Sequence, residues 1–458
     1  MPSVATLRKA ADFDWIRSPE SSGYAITNRK LYLYDYIPLL IILSFNILTY
    51  LLFLFGPWNW PIISYFKLNL FMGSVFIALY LGYKKGVKRE PQRLKSNEKI
   101  FMLFNIIFYL QFILIPVTLI SRTGSLFSLE KILNPGQSYM DAHSMRDAGG
   151  WFVYVEYIRV IFSPLLTAFV PVSIFLWNRL SKVKRIFIFI QLFFILVADL
   201  QRGTNKRFMD LIIYLIVVDF VSFVNRNKQK YDDITFRKKF RKKLKKLFIL
   251  GCIMVVLFVS FFQLGMKGRS GGLNIYSPNA STVLDTEHWM LKPFRDRDTK
   301  IAIGMFYSYL TQGYYALDIA LNKPFIWTYG LGHSLVVMLN ADEYIPVMKR
   351  SYVFRMEIED GWKMMRQWHS FYTWIASDVT FFGVIIVLFL LAYIYGKSWR
   401  IIAYNNDLAS LIVFSQTTIL FLYLPMNNQL GQGFEPYFGY IFWLTYWILK
   451  RNLKAPKA

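Results

Sequence analysis

"ADLQRGTNKRFMDL", residues 198–211, decides how this chain folds. It carries Arg202, Lys206 and Arg207 between two long apolar runs. A run of roughly 20 apolar residues crosses a bilayer as one helix. Two such runs joined by a short polar turn read as the arms of a membrane hairpin. Working outward, the hydropathy pattern gives ten spans, near 37–55, 66–83, 100–120, 153–177, 186–199, 208–224, 247–265, 379–395, 407–425 and 437–449. Composition agrees: 55% of residues are hydrophobic and 19% aromatic, only 18% are charged, and mean hydropathy is +0.34. That is too greasy and too aromatic for a soluble chain of this size. The expected fold class is all-α: a polytopic integral membrane protein of about ten transmembrane helices. A membrane-embedded hairpin hidden in 301–340 would make twelve.

The net charge is +25, and orientation follows from where the basic residues sit. The basic residues collect in "KKGVKREPQRLKSNEK" (84–99), "NRLSKVKR" (178–185), "NRNKQKYDDITFRKKFRKKLKKL" (225–247), "GKSWR" (396–400) and the tail "KRNLKAPKA". With ten spans all five fall on one side, with the N-terminus, and the excess of Lys and Arg makes that side cytoplasmic. Nucleic acid is excluded as the reason for the charge. Residues 1–458 are read as a single transmembrane domain. Within it, 1–36 form a cytoplasmic tail without the apolar core of a signal peptide, and 266–378 a large, late external region. One cysteine, Cys252, can form no internal disulfide.

The opening turn is therefore external, the wrong side for three cations. A Lys or Arg drawn to membrane depth costs roughly 2.5–3.5 kcal/mol on insertion scales. Two readings compete. The cations snorkel to the headgroups from helix ends, or they form an anion site. Gly203 would let backbone approach a ligand, and free amides opening the next helix would add donors. Arg holds phosphate oxygens through a two-pronged fork that Lys lacks, so the anion expected is a lipid phosphate or diphosphate. Lys267 and Arg269 form a second external cluster among glycines. Glu156 and Arg159 share one helical face, as an internal ion pair or as part of the site.

All four histidines, His143, His288, His333 and His369, fall outside. "GLGHS" (330–334) is only a lone GxG. His369 differs because Arg366, His369, Tyr372 and Asp378 gather where the chain re-enters the membrane. A helix there would put Arg366 and His369 on one side, an anion binder beside a titratable base. Tyr307, Tyr309, Tyr314 and Tyr315 in "IAIGMFYSYLTQGYYALDIAL" (301–321) suit an interfacial belt, a buried core or the faces of sugar rings.

With these residues in place, "HSFYTWIASDVTFFGVIIVLFLLAYIYG" (369–396) resembles the re-entry segment of the Wzy-type O-antigen and capsule polymerases. Tyr372, Thr373, Asp378, Gly383 and Gly396 match their pattern. "ADLQRGTNKR" is similar to their external arginine–glycine turn, through Arg202 and Gly203. The motifs cover about a tenth of the chain, the architecture most of it. "DVTFFG" is two residues longer than the usual DFG-like turn. The related O-antigen ligases carry a histidine, a small polar residue, and a glycine ten residues after it; after His369–Ser370 the glycine, Gly383, comes three residues later than that.

The resemblance implies a bacterial inner-membrane glycosyltransferase working on the periplasmic face, with both termini cytoplasmic. It would pass a growing glycan from undecaprenyl diphosphate to an incoming lipid-linked repeat unit, building O-antigen (lipopolysaccharide) or capsule. His369 is the first choice of base, with Asp378 and Glu156 in reserve. Arg202, Lys206, Arg207, Arg269 and Arg366 would stabilise the departing diphosphate, with Arg159 and Tyr372 completing the binding set. No metal and no cofactor are expected. The expected partners are the lipid-linked glycans, the bilayer, a chain-length regulator and a flippase. An O-antigen ligase and a lipid-linked oligosaccharide flippase are the alternatives.

Overall fold

The computed structural model describes residues 33–88, 100–139, 141, 150–204, 206–226, 238–251, 253, 282–405 and 407–452. The chain is mostly helical. The helices with printed bounds are α1 (Ile37–Phe55), α2 (Tyr65–Val87), α3 (Ile100–Thr123), α4 (Leu129–Leu133), α5 (Phe152–Ile161), α6 (Ser163–Leu176), α7 (Lys182–Leu200), α8 (Lys206–Arg226), α9 (Arg297–Leu321), α10 (Leu335–Ala341), α11 (Tyr352–Asp360), α12 (Phe371–Asn405), α13 (Leu408–Tyr423) and α14 (Phe434–Asn452). Five of them, α1, α2, α3, α8 and α12, are long and apolar enough to cross a membrane. The α5–α6 pair makes a sixth if its two halves count as one span. Helices α7, α13 and α14 also lie where spans were expected, but are shorter or carry more charge. Arg269, most of the expected span 247–265 and residues 1–32 lie outside the described residues.

The expected continuous span 153–177 is broken. Helices α5 and α6 meet at Phe162 with a bend of 65°. Pro164, in the first turn of α6, has no N–H to give the preceding turn, so the chain restarts there. Beside the bend lies an apolar groove of about 450 Å³ whose lining includes Ile161, Phe162, Trp443, Ile100, Leu408 and Lys450.

Packing follows membrane rules. Helices α2 and α12 run close along a seam of small residues, where a Cβ on Gly82 or Gly86 would collide with the carbonyls of Phe389 and Tyr393. Polar side chains tie helices together: Asn46 Nδ2 donates to the Phe421 carbonyl at 3.0 Å and Asn225 Nδ2 to that of Ile402 at 2.8 Å. Helix α9 does not lie on the surface as an aromatic belt. Tyr314 is fully buried and its hydroxyl meets Thr49 Oγ1 at 3.0 Å and the Asn46 carbonyl at 3.1 Å. A two-residue antiparallel pair, β1 (Trp58–Asn59) with β2 (Val283–Leu284), pins the α1–α2 turn to the start of the late region.

Helix α12 contains one break. Thr380 has φ 65° and ψ 167°, a region open essentially to glycine alone. A β-branched residue there is strained by about 1–3 kcal/mol. Thr380→Gly should therefore fold at least as well as wild type, although the new glycine costs about 0.5–1 kcal/mol of chain entropy. Thr380→Ala, which keeps the strain, should not gain. Melting of the purified variants decides this, and a clearly lower melting temperature for the glycine variant would show that the break carries no strain.

Candidate functional site

Two polar centres lie at one end of the bundle. They share the end where α14 begins, while Asp35–Arg400 and Lys450–Asp407 pair at the other. Glu435 and Lys450 are fifteen positions apart on α14, which at 1.5 Å per residue is ~22 Å along the axis.

The first centre is an ion network. Arg122, at the end of α3, grips Glu156 through two bonds of 2.6 Å. Arg159, one turn further along α5 and 4% exposed, does not pair with Glu156; it pairs with Glu435 at the start of α14 and donates to Thr118 Oγ1 at 2.6 Å. Glu156 is thus committed to an arginine and poorly placed to act as a base. The opening turn joins this network. Asp199, at the end of α7, accepts from the Arg207 backbone N–H at 3.2 Å and lies 3.4 Å from the Arg207 guanidinium. One of the amides that open α8 is therefore already capped. Lys206 sits 3.6 Å from Asp210 and donates to the Gln429 carbonyl at 3.3 Å. Gly203 serves the chain rather than a ligand: its φ of 63° is left-handed, and a Cβ would collide with the Pro135 carbonyl.

Arg202 stands apart from these pairs. It has no carboxylate within ion-pair distance among the described residues, so five cations face four carboxylates. Burial lowers its pKa to about 10, the like charges of Arg122 and Arg207 adding and Asp199 and Glu156 opposing. It remains charged at neutral pH and is half-buried.

The second centre is built on Asp378. The loop "WTYGLGHS" (327–334) folds around this carboxylate, with Tyr329 and Gly330 in the left-handed region at φ 59° and 78°. Asp378 Oδ1 accepts from the Gly332 N–H at 2.9 Å and from the Thr328 hydroxyl. Oδ2 accepts from the His333 N–H at 2.9 Å and lies 2.8 Å from His333 Nδ1. A carboxylate only accepts, so Nδ1 carries the ring proton. His333 Nε2 is then the acceptor, and the Tyr437 hydroxyl meets it at 2.7 Å. The His333 side chain is 28% exposed and that of Asp378 only 7%. A buried carboxylate thus holds a partly exposed imidazole in one tautomer, its basic Nε2 engaged by the Tyr437 hydroxyl that an acceptor hydroxyl would displace, an arrangement suited to general-base chemistry.

The segment 427–438 joins the two centres. Asn428 Nδ2 donates to the His333 carbonyl at 2.7 Å and Ser334 Oγ to that of Gly431 at 2.9 Å. Glu435 enters the ion network and Tyr437, two residues on, enters the second centre.

The expected grouping at the re-entry segment is not formed. The helix begins only at Phe371, so Arg366 and His369 share no helical face; Arg366 is exposed in a turn and His369 is 1% exposed. The His369 ring packs edge-on to Trp374 at 6.2 Å, and neither of its nitrogens has a side-chain partner among the described residues. Tyr372 is fully buried, with no hydrogen-bond partner for its hydroxyl among the described residues and its ring against Phe71 at 5.7 Å. His333, Tyr437, Glu435 and Arg122 were not singled out by sequence. Only the Gly–x–Gly–His spacing hinted at His333, through a loop tight enough to wrap a side chain.

Burial depresses the His369 pKa to about 3. Its unfolded value is near 6.5, so the unfolded chain takes up the proton first and stability falls with pH below about 6.5. At pH 5 the loss is on the order of 2 kcal/mol, from 1.36 kcal/mol per unit. His369→Phe should remove that acid sensitivity, seen as a smaller drop in melting temperature between pH 7 and pH 5. An unchanged drop would place the acid-labile group elsewhere.

Compared with family models, curated proteins and solved structures, the chain matches none.

Proposed function

We propose that this protein is a membrane glycosyltransferase that polymerises undecaprenyl-diphosphate-linked repeat units into O-antigen or capsular polysaccharide. The observation that carries the reading is a half-buried Arg202, without a carboxylate partner among the described residues, beside an ion network that one segment, 427–438, ties to an Asp378-held imidazole. The acceptor sugar's hydroxyl gives its proton to His333 Nε2 as its oxygen bonds to the donor's anomeric carbon. The bond from that carbon to the diphosphate oxygen breaks. The departing diphosphate keeps the electron pair, and its charge is met by Arg202, with Lys206 and Arg207 near it. A fixed cation stabilises such developing charge without reorganising. The groove at Phe162 begins less than one turn beyond Arg159 and suits the carrier's hydrocarbon tail. In this reading His333 replaces His369 as the base, and Glu156 holds Arg122 in place.

The ten-span topology belongs to the same proposal, with both termini cytoplasmic and the two centres on the periplasmic face. So do a flippase that delivers the substrate and a partner that sets chain length. A ligase-type transfer is the second reading, and Thr380 favours it. Thr380 stands ten residues after Ser370, where the ligases carry glycine, and it holds a glycine-type backbone conformation.

Deleting the gene and separating the surface glycan on a gel tests both. Polymerase predicts loss of long chains with a single capped repeat retained; ligase predicts loss of all capping. Unchanged glycan would overturn both.

A further inference from the structure

We propose that the loop around Asp378 also carries a saccharide-binding platform, made of Trp327 and Tyr329 and braced by Arg350. Both rings stand at the surface, 52% and 43% exposed. Their centroids are 5.2 Å apart, with the planes inclined at 60°. They flank Thr328, whose N–H donates to the Ser377 carbonyl at 3.3 Å and whose hydroxyl reaches Asp378. The platform is therefore built into the same loop as the imidazole.

Arg350 holds the two aromatic residues in place. Its Nε donates to the Trp327 carbonyl at 2.6 Å, and its guanidinium lies 4.8 Å from the centre of the Tyr329 ring. The backbone is held as well. Tyr329 is left-handed at φ 59°, which costs a residue with a side chain about 1–2 kcal/mol. The side chain retained there is a tyrosine, exposed to solvent, so the strain does not serve the core. Strain of this kind gathers where a structure presents a group for use. Rigid aromatic rings lose little entropy on binding. Their faces receive the C–H faces of sugar rings, and the guanidinium has further N–H donors for sugar hydroxyls or carboxylates. Exposed Trp and Tyr also mark membrane interfaces, but a belt residue works from any unstrained backbone and needs no arginine brace.

The choice of a glycan rests on the transfer reading above, while the test measures binding alone. The probe is lipid-free oligosaccharide released by mild acid from the source bacterium's surface polysaccharide, titrated by saturation-transfer NMR against the full chain in nanodiscs. Wild type should bind. Trp327→Ala and Tyr329→Ala should each weaken binding about ten-fold or more. Tyr329→Gly, which removes the ring and relieves the strain, should lose binding without losing melting temperature. Trp289→Ala, 68% exposed but outside the loop, should bind as wild type does. Equal affinity in wild type and the loop variants, or equal weakening by Trp289→Ala, would overturn the platform and leave the transfer chemistry standing. Full turnover in a His333 variant would remove the proposed base and leave the binding result standing.

Discussion

Replacing His333 by alanine should lower turnover by about 10²–10⁴-fold, the usual contribution of a positioned general base. Binding of the lipid-linked substrate should change little, because a base acts mainly in the transition state. Asp378→Asn should cost a similar factor by another route. The amide cannot hold Nδ1–H as a charged acceptor does, so the tautomer with a basic Nε2 is no longer favoured. Asp378 also accepts from the Gly332 and His333 N–H groups and the Thr328 hydroxyl, and hydrogen bonds to a charged group contribute about 1.5–3 kcal/mol each. The asparagine variant therefore needs a melting curve beside its rate. Tyr437→Phe removes the hydroxyl that now occupies Nε2 and keeps the Asp378–His333 pair, so it should retain most of the rate. The assay is polymer formation by purified protein from lipid-linked repeat units. A full rate with His333→Ala at normal abundance ends the case for this base.

Arg202→Ala should lower turnover by about 10²–10³-fold, the cost of removing one fixed donor from developing charge. Arg202→Lys should recover little, since a point charge lacks the planar fork. Stability should move the other way. Arg202 has no carboxylate partner among the described residues and is repelled by Arg122 and Arg207, so its removal should leave the melting temperature unchanged or raise it. Arg159→Ala gives the contrast. It strands the Glu435 carboxylate in a buried site, and breaking a buried pair costs about 3–5 kcal/mol. The two arginines are thus separable in one pair of measurements, rate and melting. Full-length polymer at normal abundance with Arg202→Ala would reduce the opening turn to a headgroup anchor.

The legibility of each feature follows the range of the interaction behind it. The helical membrane character was legible because burial in lipid selects apolar residues over every turn of one helix, a local and repeated signal. Arg202 was legible for a related reason: a cation in a short turn between apolar runs is costly enough to need an explanation. The partners were not legible. Lys206 and Arg207 look the same as Arg202 in sequence, yet Asp210 and Asp199 pair with them and not with Arg202. Glu156 and Arg159 share a helical face, yet each reaches across to a different helix.

The bases separate in the same way. His369 stood in a telling motif and is sealed in apolar surroundings; His333 stood in an unremarkable one and is held by a carboxylate 45 residues later in the chain. The sequence by itself determined that the chain is a basic, helical, membrane-type protein with a cationic turn between two apolar helices. Only the tertiary structure decided which cation has no carboxylate partner among the described residues, which histidine a carboxylate holds, and that segment 427–438 links the ion network to that histidine. The physical reason is that hydrophobicity acts residue by residue and leaves a periodic trace, while a carboxylate's choice of partner depends on distances of about 3–4 Å between helices far apart in the chain.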